Sequence, residues 1–336
     1  MKKNILLIMT IGIAIFLSAC AQKVTIKALK PAEIDRVAST KKISVAPFRN
    51  DNIGLGTKIE AHLANHRIDD ENYFTIVSRS DFDRIIKEQK IQNSGLVDQK
   101  MAVEVGNLIG AQAIISGDVS RPTLSDTRYY EERYRCADKK CKTFVVYRVR
   151  CTKRVINLGA EVRIVDVSHG DVIHAKSFQK SSVYNHCSDD SRTLPSREMA
   201  AQRLAAVIAD EFTYKLLPHY RTFEVTLLEK PDLDYDDRQE KLLKVSIEYI
   251  KQSRYDKAQQ FLFELVDSTG EQSYVAFYNL GVLKEAEGNY KDAQEYYKTA
   301  DDLMVEPVEE ISQAYLRIKS LMKERERANA QLSRGR

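Results

Sequence analysis

Apolar and polar positions repeat with two different periods along this chain, and the change of period divides it into two parts. In the first part, short runs rich in β-branched residues predict strands, and stretches with apolar residues three and four apart predict helices. The predicted strands cover residues 42–48, 74–77, 113–119, 159–167 and 172–178, and the predicted helices cover residues 57–67, 80–90, 101–109 and 196–217. Beyond residue 240 only the helical period remains.

These patterns predict an α/β (α+β) domain with a mixed sheet at residues 41–220, followed by an all-α domain at residues 241–330. Residues 221–240 contain Pro231 and a cluster of acidic side chains, which is typical of a linker. Residues 20–40 are polar, contain Pro31 and show no sustained period, so we expect a tether ahead of the first strand.

The all-α part contains an internal repeat. The pair Arg254–Tyr255 returns 35 residues later as Asn289–Tyr290, and an alanine follows each tyrosine three positions on. Further markers of the same pattern stand at Phe277, Leu280, Gly281, Tyr297 and Ala300. With these markers the segment resembles the tetratricopeptide repeat. Lys284 departs from the pattern, because an aromatic residue is usual there, and an unrelated pair of helical hairpins is the alternative.

Tetratricopeptide repeats present a concave groove to another protein or peptide. The resemblance therefore implies a surface that binds protein partners. Its candidate residues are Phe277, Tyr278, Lys284 and Tyr297, whose aromatic members we expect to serve the helical core first and contacts second.

The first twenty residues have the pattern of an export signal. Lys2 and Lys3 precede an apolar stretch at residues 5–17, which is too short to span a bilayer comfortably. The ending Leu17-Ser-Ala-Cys20 resembles the lipobox of bacterial lipoproteins. This implies a signal peptide at residues 1–19, acyl chains such as palmitate on Cys20, and, because Ala21 follows, an outer-membrane anchor. A plain signal peptide with an incidental cysteine is the alternative.

Four more cysteines remain in a compartment that is oxidising, so their even number predicts two disulfides. Cys136 and Cys141 flank a short polar turn, which favours the pairs Cys136–Cys141 and Cys151–Cys187 among the three that are arithmetically open. A zinc site using His186 beside Cys187 is the alternative, although the spacing lacks paired C-x-x-C motifs.

Composition excludes several classes of protein. The chain has 336 residues, 43% of them hydrophobic and 30% charged, with a mean hydropathy of −0.41. These values exclude wholesale disorder and a multi-pass membrane protein. The net charge of +4 is too small for a strong overall field.

Charge is nevertheless concentrated at residues 128–154, where ten Lys or Arg and three Asp or Glu alternate with tyrosines. The periplasm argues against nucleic acid as the partner. An anionic envelope polymer, lipid A phosphates or an acidic protein surface would suit Arg148, Arg150, Lys153 and Arg154. A solvated hairpin without a ligand is the alternative interpretation.

Six short blocks in the first part occur in an order that points to a known family. They lie at residues 43–48, 74–79, 82–86, 95–98, 110–117 and 162–170. With the lipobox, they resemble the curli assembly/transport lipoproteins, the CsgG family, over roughly residues 41–217. The resemblance implies a periplasmic α/β domain on a lipid anchor. In its best-known members, hairpins from each subunit also form an oligomeric outer-membrane pore that exports amyloid subunits.

The residues of this chain disfavour such a channel. A lipid-facing strand needs one apolar face, but residues 127–136 carry charges on both faces and residues 176–196 are polar throughout. The segment that corresponds to the constriction of the family's pore, residues 49–56, has no aromatic side chain.

Motifs for catalysis or cofactor binding are weak in this chain. Gly54 and Gly56 lie between a strand and a helix, but a complete phosphate-binding fingerprint is lacking, so turn glycines are the better interpretation. His62 and His66 have a spacing compatible with a metal, yet no further ligand is suggested. A nucleophile elbow is also lacking. We therefore expect no enzymatic activity and no cofactor beyond the covalent lipid.

Together these observations predict an outer-membrane-anchored lipoprotein that faces the periplasm. It would act as an assembly or accessory factor in secretion or in the biogenesis of envelope or surface structures. Its expected partners are other envelope or secreted proteins, with a homo-oligomer left open. The alternatives are a secretion channel of curli type and a lipoprotein activator of cell-wall synthases. A tether of about twenty residues, reaching roughly 70 Å, is short for the activator.

Overall fold

The computed structural model describes residues 22–77 and 99–333. The strands are β1 (Lys23–Lys30), β2 (Lys42–Val45), β3 (Arg67–Ile68), β4 (Glu71–Asn72), β5 (Thr75–Ile76), β6 (Ala113–Val119), β7 (Thr123–Cys136), β8 (Phe144–Asp166), β9 (Val172–Cys187) and β10 (His219–Thr226). The helices are α1 (Asp35–Ser39), α2 (Leu55–Asn65), α3 (Gln99–Ile109), α4 (Arg197–Tyr214), α5 (Asp237–Lys251), α6 (Tyr255–Ser268), α7 (Tyr274–Ala286), α8 (Tyr290–Leu303) and α9 (Glu309–Ser333). The helix predicted at residues 80–90 lies outside the described residues.

The chain divides into two compact units. Of the described residues, 29–77, 99–220 and 324–333 form an α/β unit, and 22–28 and 221–323 form a helical unit. The fold is therefore a mixed α/β unit and a unit of several helices, as the two periods of the sequence predicted.

The α/β unit is built on a six-stranded mixed sheet in the order β5-β2-β6-β8-β7, with β9 on the other side of β8. Strand β2 runs parallel to β5 and β6, whereas β8 is antiparallel to all three of its neighbours. Strand β8 is long enough to pair with β6 near its end and with β7 near its start. The outer halves of β7 and β8 thereby extend away from the rest of the sheet as a two-stranded hairpin.

Both faces of the sheet are covered by helices. On one face, α2 and α4 bury a stripe of apolar residues that includes Leu55, Ile59 and Phe212 against sheet residues such as Ile115. On the other face, Val105 of α3 packs against a second buried cluster. Each such side chain contributes roughly 1.5–3 kcal/mol by leaving water, so these two layers fix the inner half of β8.

The segment predicted as a tether is folded, and the prediction is wrong for residues 23–39. Strand β1 pairs with β10, and its Val24, Ile26 and Ala28 are buried at every second position. The helix α1 follows. The alternation of apolar and polar residues in β1 is short and therefore gives a weak signal. The strand itself is stable only because it pairs with β10, which is far away in the sequence. For the same reason, residues predicted as linker up to Thr226 belong to β10.

The helices of the helical unit pack closely at small residues. A Cβ atom added at Gly281 would lie 2.5 Å from the ring of Tyr297, so only glycine allows α7 and α8 to approach this closely. Helix α5 begins with a capping box formed by Asp236 and Gln239. These features agree with the repeats expected from the sequence.

Strands β8 and β9 are much longer than the hairpin predicted at residues 159–167 and 172–178. The additional residues of β8 at positions 144–148 are exposed on both faces, and those of β9 are mostly polar, which hides the period-two signal in the sequence. A search of the helices in the described residues finds none that could span a bilayer.

Candidate interaction surfaces

The hairpin of β7 and β8 is braced by two disulfides. Cys136 and Cys141 are joined across its turn, and Cys151 of β8 is joined to Cys187 of β9. This is the pairing that the sequence favoured. The sulfur atoms of Cys151 and Cys187 are therefore joined to each other and cannot bind zinc as thiolates beside His186. In the described residues, one group of three side chains of metal-ligating type lies close together, and it consists of this disulfide pair and Glu131.

The turn of the hairpin is organised by one carboxylate. Oδ1 of Asp138 accepts hydrogen bonds from the backbone N–H groups of Lys140 and Lys142, at 2.8 and 3.2 Å. Its Oδ2 accepts from the N–H and the hydroxyl of Thr143, at 2.8 and 2.6 Å. Led by the Thr143 hydroxyl, these bonds lower the pKa of Asp138 to about 2.

The four basic residues predicted as a binding patch all lie on β8, and three of them, Arg148, Arg150 and Arg154, share one face. Arg148 pairs with Glu132 at 3.3 Å, and Arg154 pairs with Asp126 at 2.6 Å. Arg154 also donates to the carbonyl oxygen of Pro195 at 2.9 Å. Arg150 and Lys153 are exposed but lie three positions apart on a strand, so they point to opposite faces. Binding of an anionic partner by these residues stays a prediction.

A different part of the hairpin was missed by sequence reasoning. Residues 134–147, which we call the hairpin tip, carry exposed large apolar side chains at both strand ends. These are Tyr134 (67% exposed), Phe144 (61%), Val146 (51%), Val145 (42%) and Tyr147 (38%). The run Phe-Val-Val-Tyr directly after a cysteine-closed turn was the available signal, since a strand that is apolar at consecutive positions has two apolar faces.

The face of α7 that carries Tyr278 and Asn279, which we call the inner face of the repeats, bonds to another segment of the same chain. The Tyr278 hydroxyl donates to the carbonyl oxygen of Thr226 at 2.7 Å. The side chain of Asn279 accepts from the N–H of Leu228 at 3.1 Å and donates to its carbonyl oxygen at 2.8 Å. Asn279 therefore binds a backbone segment as a side chain in a peptide-binding groove would. The bound segment is part of the same chain, directly after β10.

A buried ion pair lies further along α7, at Glu285. The Glu285 carboxylate is fully buried and accepts two hydrogen bonds of 2.8 Å from Arg317 of α9. The Tyr297 hydroxyl donates to the same carboxylate at 2.5 Å. Burial raises the pKa of Tyr297 well above its ordinary value, and the nearby Glu285 charge adds to this. Tyr278 and Tyr297 are thus buried core residues, which is the primary role expected of the aromatic members of this set.

The two remaining repeat candidates lie nearer the surface. Phe277 is partly buried and its ring stacks on that of Tyr296, with centroids 6.4 Å apart. Phe263 lies beside Tyr296 at the same centroid distance and is 38% exposed. Lys284 donates to Gln259 at 2.6 Å and pairs with Glu287 at 2.9 Å. Phe263, Phe277 and Tyr296 therefore form an aromatic group across three helices, in which Phe263 is exposed and the other two are partly buried.

The glycine loop before α2 is not arranged to hold a phosphate. Gly54 has a φ of 74°, as a turn glycine does. The carboxylate of Asp51 accepts from the N–H groups of Leu55 and Gly56, both at 2.9 Å, and so occupies the start of the helix where an anion would bind. His62 lies on α2 and His66 directly follows the helix, where its Nε2 donates to the carbonyl oxygen of Pro218 at 2.8 Å. Burial lowers the pKa of His66.

Comparison with known families identifies the first part of the chain. The family model of the curli production assembly/transport component CsgG matches residues 19–188, half of the chain. The chain belongs to the CsgG family. The match begins one residue before Cys20 and includes the whole hairpin up to the Cys151–Cys187 disulfide. No protein of curated function matches this CsgG-family chain.

Solved structures show only distant likeness to it. They include the C-terminal domain of LpoB from Salmonella enterica (12% identity, 44% of this chain and 95% of that one, TM-score 0.26). They also include lipoprotein GNA1162 from Neisseria meningitidis (14%, 51% and 97%, TM-score 0.26) and a PelC dodecamer from Paraburkholderia phytofirmans (14%, 59% and 100%, TM-score 0.26). TM-scores this low support no inference about the CsgG-family chain.

Proposed function

We propose that this CsgG-family chain is a lipoprotein of the bacterial envelope that acts as an assembly or accessory factor in secretion or surface-structure biogenesis. The observation that carries the proposal is the family match, which starts next to the lipobox cysteine and covers the α/β unit up to the second disulfide. Cys20 would anchor the chain to the outer membrane on its periplasmic face. The chain would perform no catalysis and need no cofactor beyond its lipid.

An accessory role fits the hairpin better than a channel does. Along its length, charged side chains point to both faces, with Glu132 and Arg148 on one face and Glu131 and Arg133 on the other. Each Arg or Lys on a lipid-facing position near the bilayer centre costs roughly 2–4 kcal/mol. The charged stretch of the hairpin is therefore suited to water.

Partners would bind the repeats from outside. The groups that line the inner face already bond to the chain itself, so the surface that we propose for a partner is the aromatic group of exposed Phe263 with partly buried Phe277 and Tyr296. Other envelope or secreted proteins are the partners that this role requires.

The anchor and the assembly state test the proposal directly. Wild-type chain should float with outer-membrane fractions, and the Cys20→Ser variant should not. Light scattering of the complex in mild detergent should then give a small assembly. A ring of many copies would overturn the accessory role and support the channel, and an unchanged location of the Cys20→Ser variant would overturn the lipid anchor.

A photo-crosslinking side chain placed at Phe263 tests the partner surface. We expect it to capture a discrete envelope protein in cells, whereas the same group at Lys298, an exposed position of α8, should not. Equal capture from both positions, or none from either, would contradict binding through the aromatic group.

A further inference from the structure

The hairpin tip combines exposed apolar side chains with an excess of positive charge. Tyr134 pairs with Val146 and Cys136 with Phe144 on one face, while Val145 and Tyr147 point to the other. Exposed aromatic and aliphatic side chains that cluster in this way mark an interaction site. Here they lie on both faces of a ribbon only two strands wide.

The tip is also cationic. It contains Arg135, Lys139, Lys140 and Lys142, and its one acidic residue is Asp138. Because the Asp138 carboxylate is bonded to the turn backbone, it faces the turn and not the surroundings. An incoming anion therefore meets four exposed cations ranged around an apolar end.

The tip is held in one shape before it meets any ligand. The Cys136–Cys141 disulfide closes the turn, and the N–H of Ala137 donates to the carbonyl oxygen of Thr143 at 2.8 Å. The second disulfide ties β8 to β9 seven residues beyond Phe144. A preformed tip loses little conformational entropy on binding.

We infer that the hairpin tip inserts into the head-group region of an anionic phospholipid surface. A protein partner would cover one face of the ribbon, whereas a lipid interface surrounds it, which suits apolar side chains on both faces. Tyrosines with lysines at their polar end are the combination found at membrane–water interfaces. The four cations supply the charge complementarity to anionic lipid. The inference rests on the proposed envelope anchoring, and it assigns the hairpin a second contact with the membrane.

The chain contains no tryptophan, so a single introduced one reports on its own position. Full-length lipidated Phe144→Trp protein is bound to vesicles that mix phosphatidylglycerol with phosphatidylcholine. Its emission should shift to shorter wavelength and be quenched by brominated lipid. The matched control is Leu124→Trp, which lies on the same face at the other end of β7 and should show neither effect. A Tyr134→Trp variant repeats the measurement should Phe144→Trp fold poorly.

Charge dependence forms the second arm. Changing Lys139, Lys140 and Lys142 together to Gln should weaken insertion roughly 100-fold, at about five-fold for each cation. Vesicles of phosphatidylcholine alone should give little shift. Equal shifts on both vesicle types would overturn the role of anionic lipid.

Two other outcomes would overturn the inference. Emission from Phe144→Trp that matches the Leu124→Trp control would exclude insertion. A blue shift without vesicles that grows with protein concentration would mean that the tip contacts a second copy of the chain. Vesicle flotation in the same samples reports anchoring through Cys20, so failure of the anchor is seen separately from failure of the tip.

Discussion

The hairpin tip and the inner face of the repeats carry similar side chains, tyrosines beside charged or amide groups, and use them in opposite ways. In the repeats, Asn279, Tyr278 and Glu285 are buried and each bonds to another part of the same unit. In the tip, the tyrosines and lysines are exposed, and the carboxylate of Asp138 bonds to the backbone and side chain of the turn.

The difference lies in what holds each surface. The repeats are stabilised by packing around buried polar groups, so their inner face is part of the core. The tip has almost no core of its own and is held by a disulfide and a bonded turn, so its side chains remain available. A tetratricopeptide pattern therefore indicates a groove without indicating that the groove is empty.

Removing the buried cation is expected to affect the repeats most. Arg317→Ala leaves the Glu285 carboxylate buried without its partner, which costs about 3–5 kcal/mol of unfolding free energy. Urea denaturation followed by circular dichroism measures the loss. The matched control is Arg254→Ala, whose exposed pair with Asp256 is worth about 0–1 kcal/mol. Equal losses in the two variants would mean that the inner face is not part of the core.

The sequence could predict elements whose stability is local or whose period is long. The strand Ala113–Val119, which begins with the apolar run Ala-Ile-Ile, was predicted with its observed bounds, and the helix predicted at residues 101–109 begins only two residues earlier. Strand β1 escaped because its pairing partner lies nearly two hundred residues away. The role of Asn279 escaped for a related reason, since an amide that binds Leu228 has no local signature.

Breaking the disulfides should affect the hairpin and leave the repeats unchanged. Replacing Cys151 and Cys187 with Ala opens a loop with a sequence separation of 36, whereas the separation for Cys136 and Cys141 is 5. Chain-entropy arguments predict losses of about 4 and about 2 kcal/mol, respectively. Urea unfolding of the two double variants gives the ranking, and a larger loss at the turn would contradict it.

Removing the hydrogen bonds between Asn279 and Leu228 should lower the unfolding free energy less than removing the ion pair on the same face. Asn279→Ala leaves the N–H and carbonyl of Leu228 without their partner, at a cost of about 1–3 kcal/mol. Asn289→Ala serves as the control, because Asn289 is exposed and its side chain bonds only to neighbouring Asp292 at 2.6 Å among the described contacts. Hydrogen exchange of the Leu228 amide should accelerate in the first variant alone. Slow exchange in both would show that the segment after β10 is held by packing and not by the amide.

Acid should loosen the turn of the tip by the smallest amount and only at low pH. Hydrogen bonds from Thr143 and the turn backbone lower the pKa of Asp138 from 3.8 to about 2. Since the folded-state pKa is depressed, the stabilisation is fully present above about pH 4 and is lost as the pH falls towards 2. Amide chemical shifts of Lys140 and Thr143, followed by NMR, should therefore titrate near pH 2. In the Asp138→Asn variant they should not titrate, because an amide has no carboxyl to protonate. A midpoint near 4 in the wild-type chain would mean that the carboxylate is solvated, and the tip would then lose the fixed shape that separates it from an ordinary exposed loop.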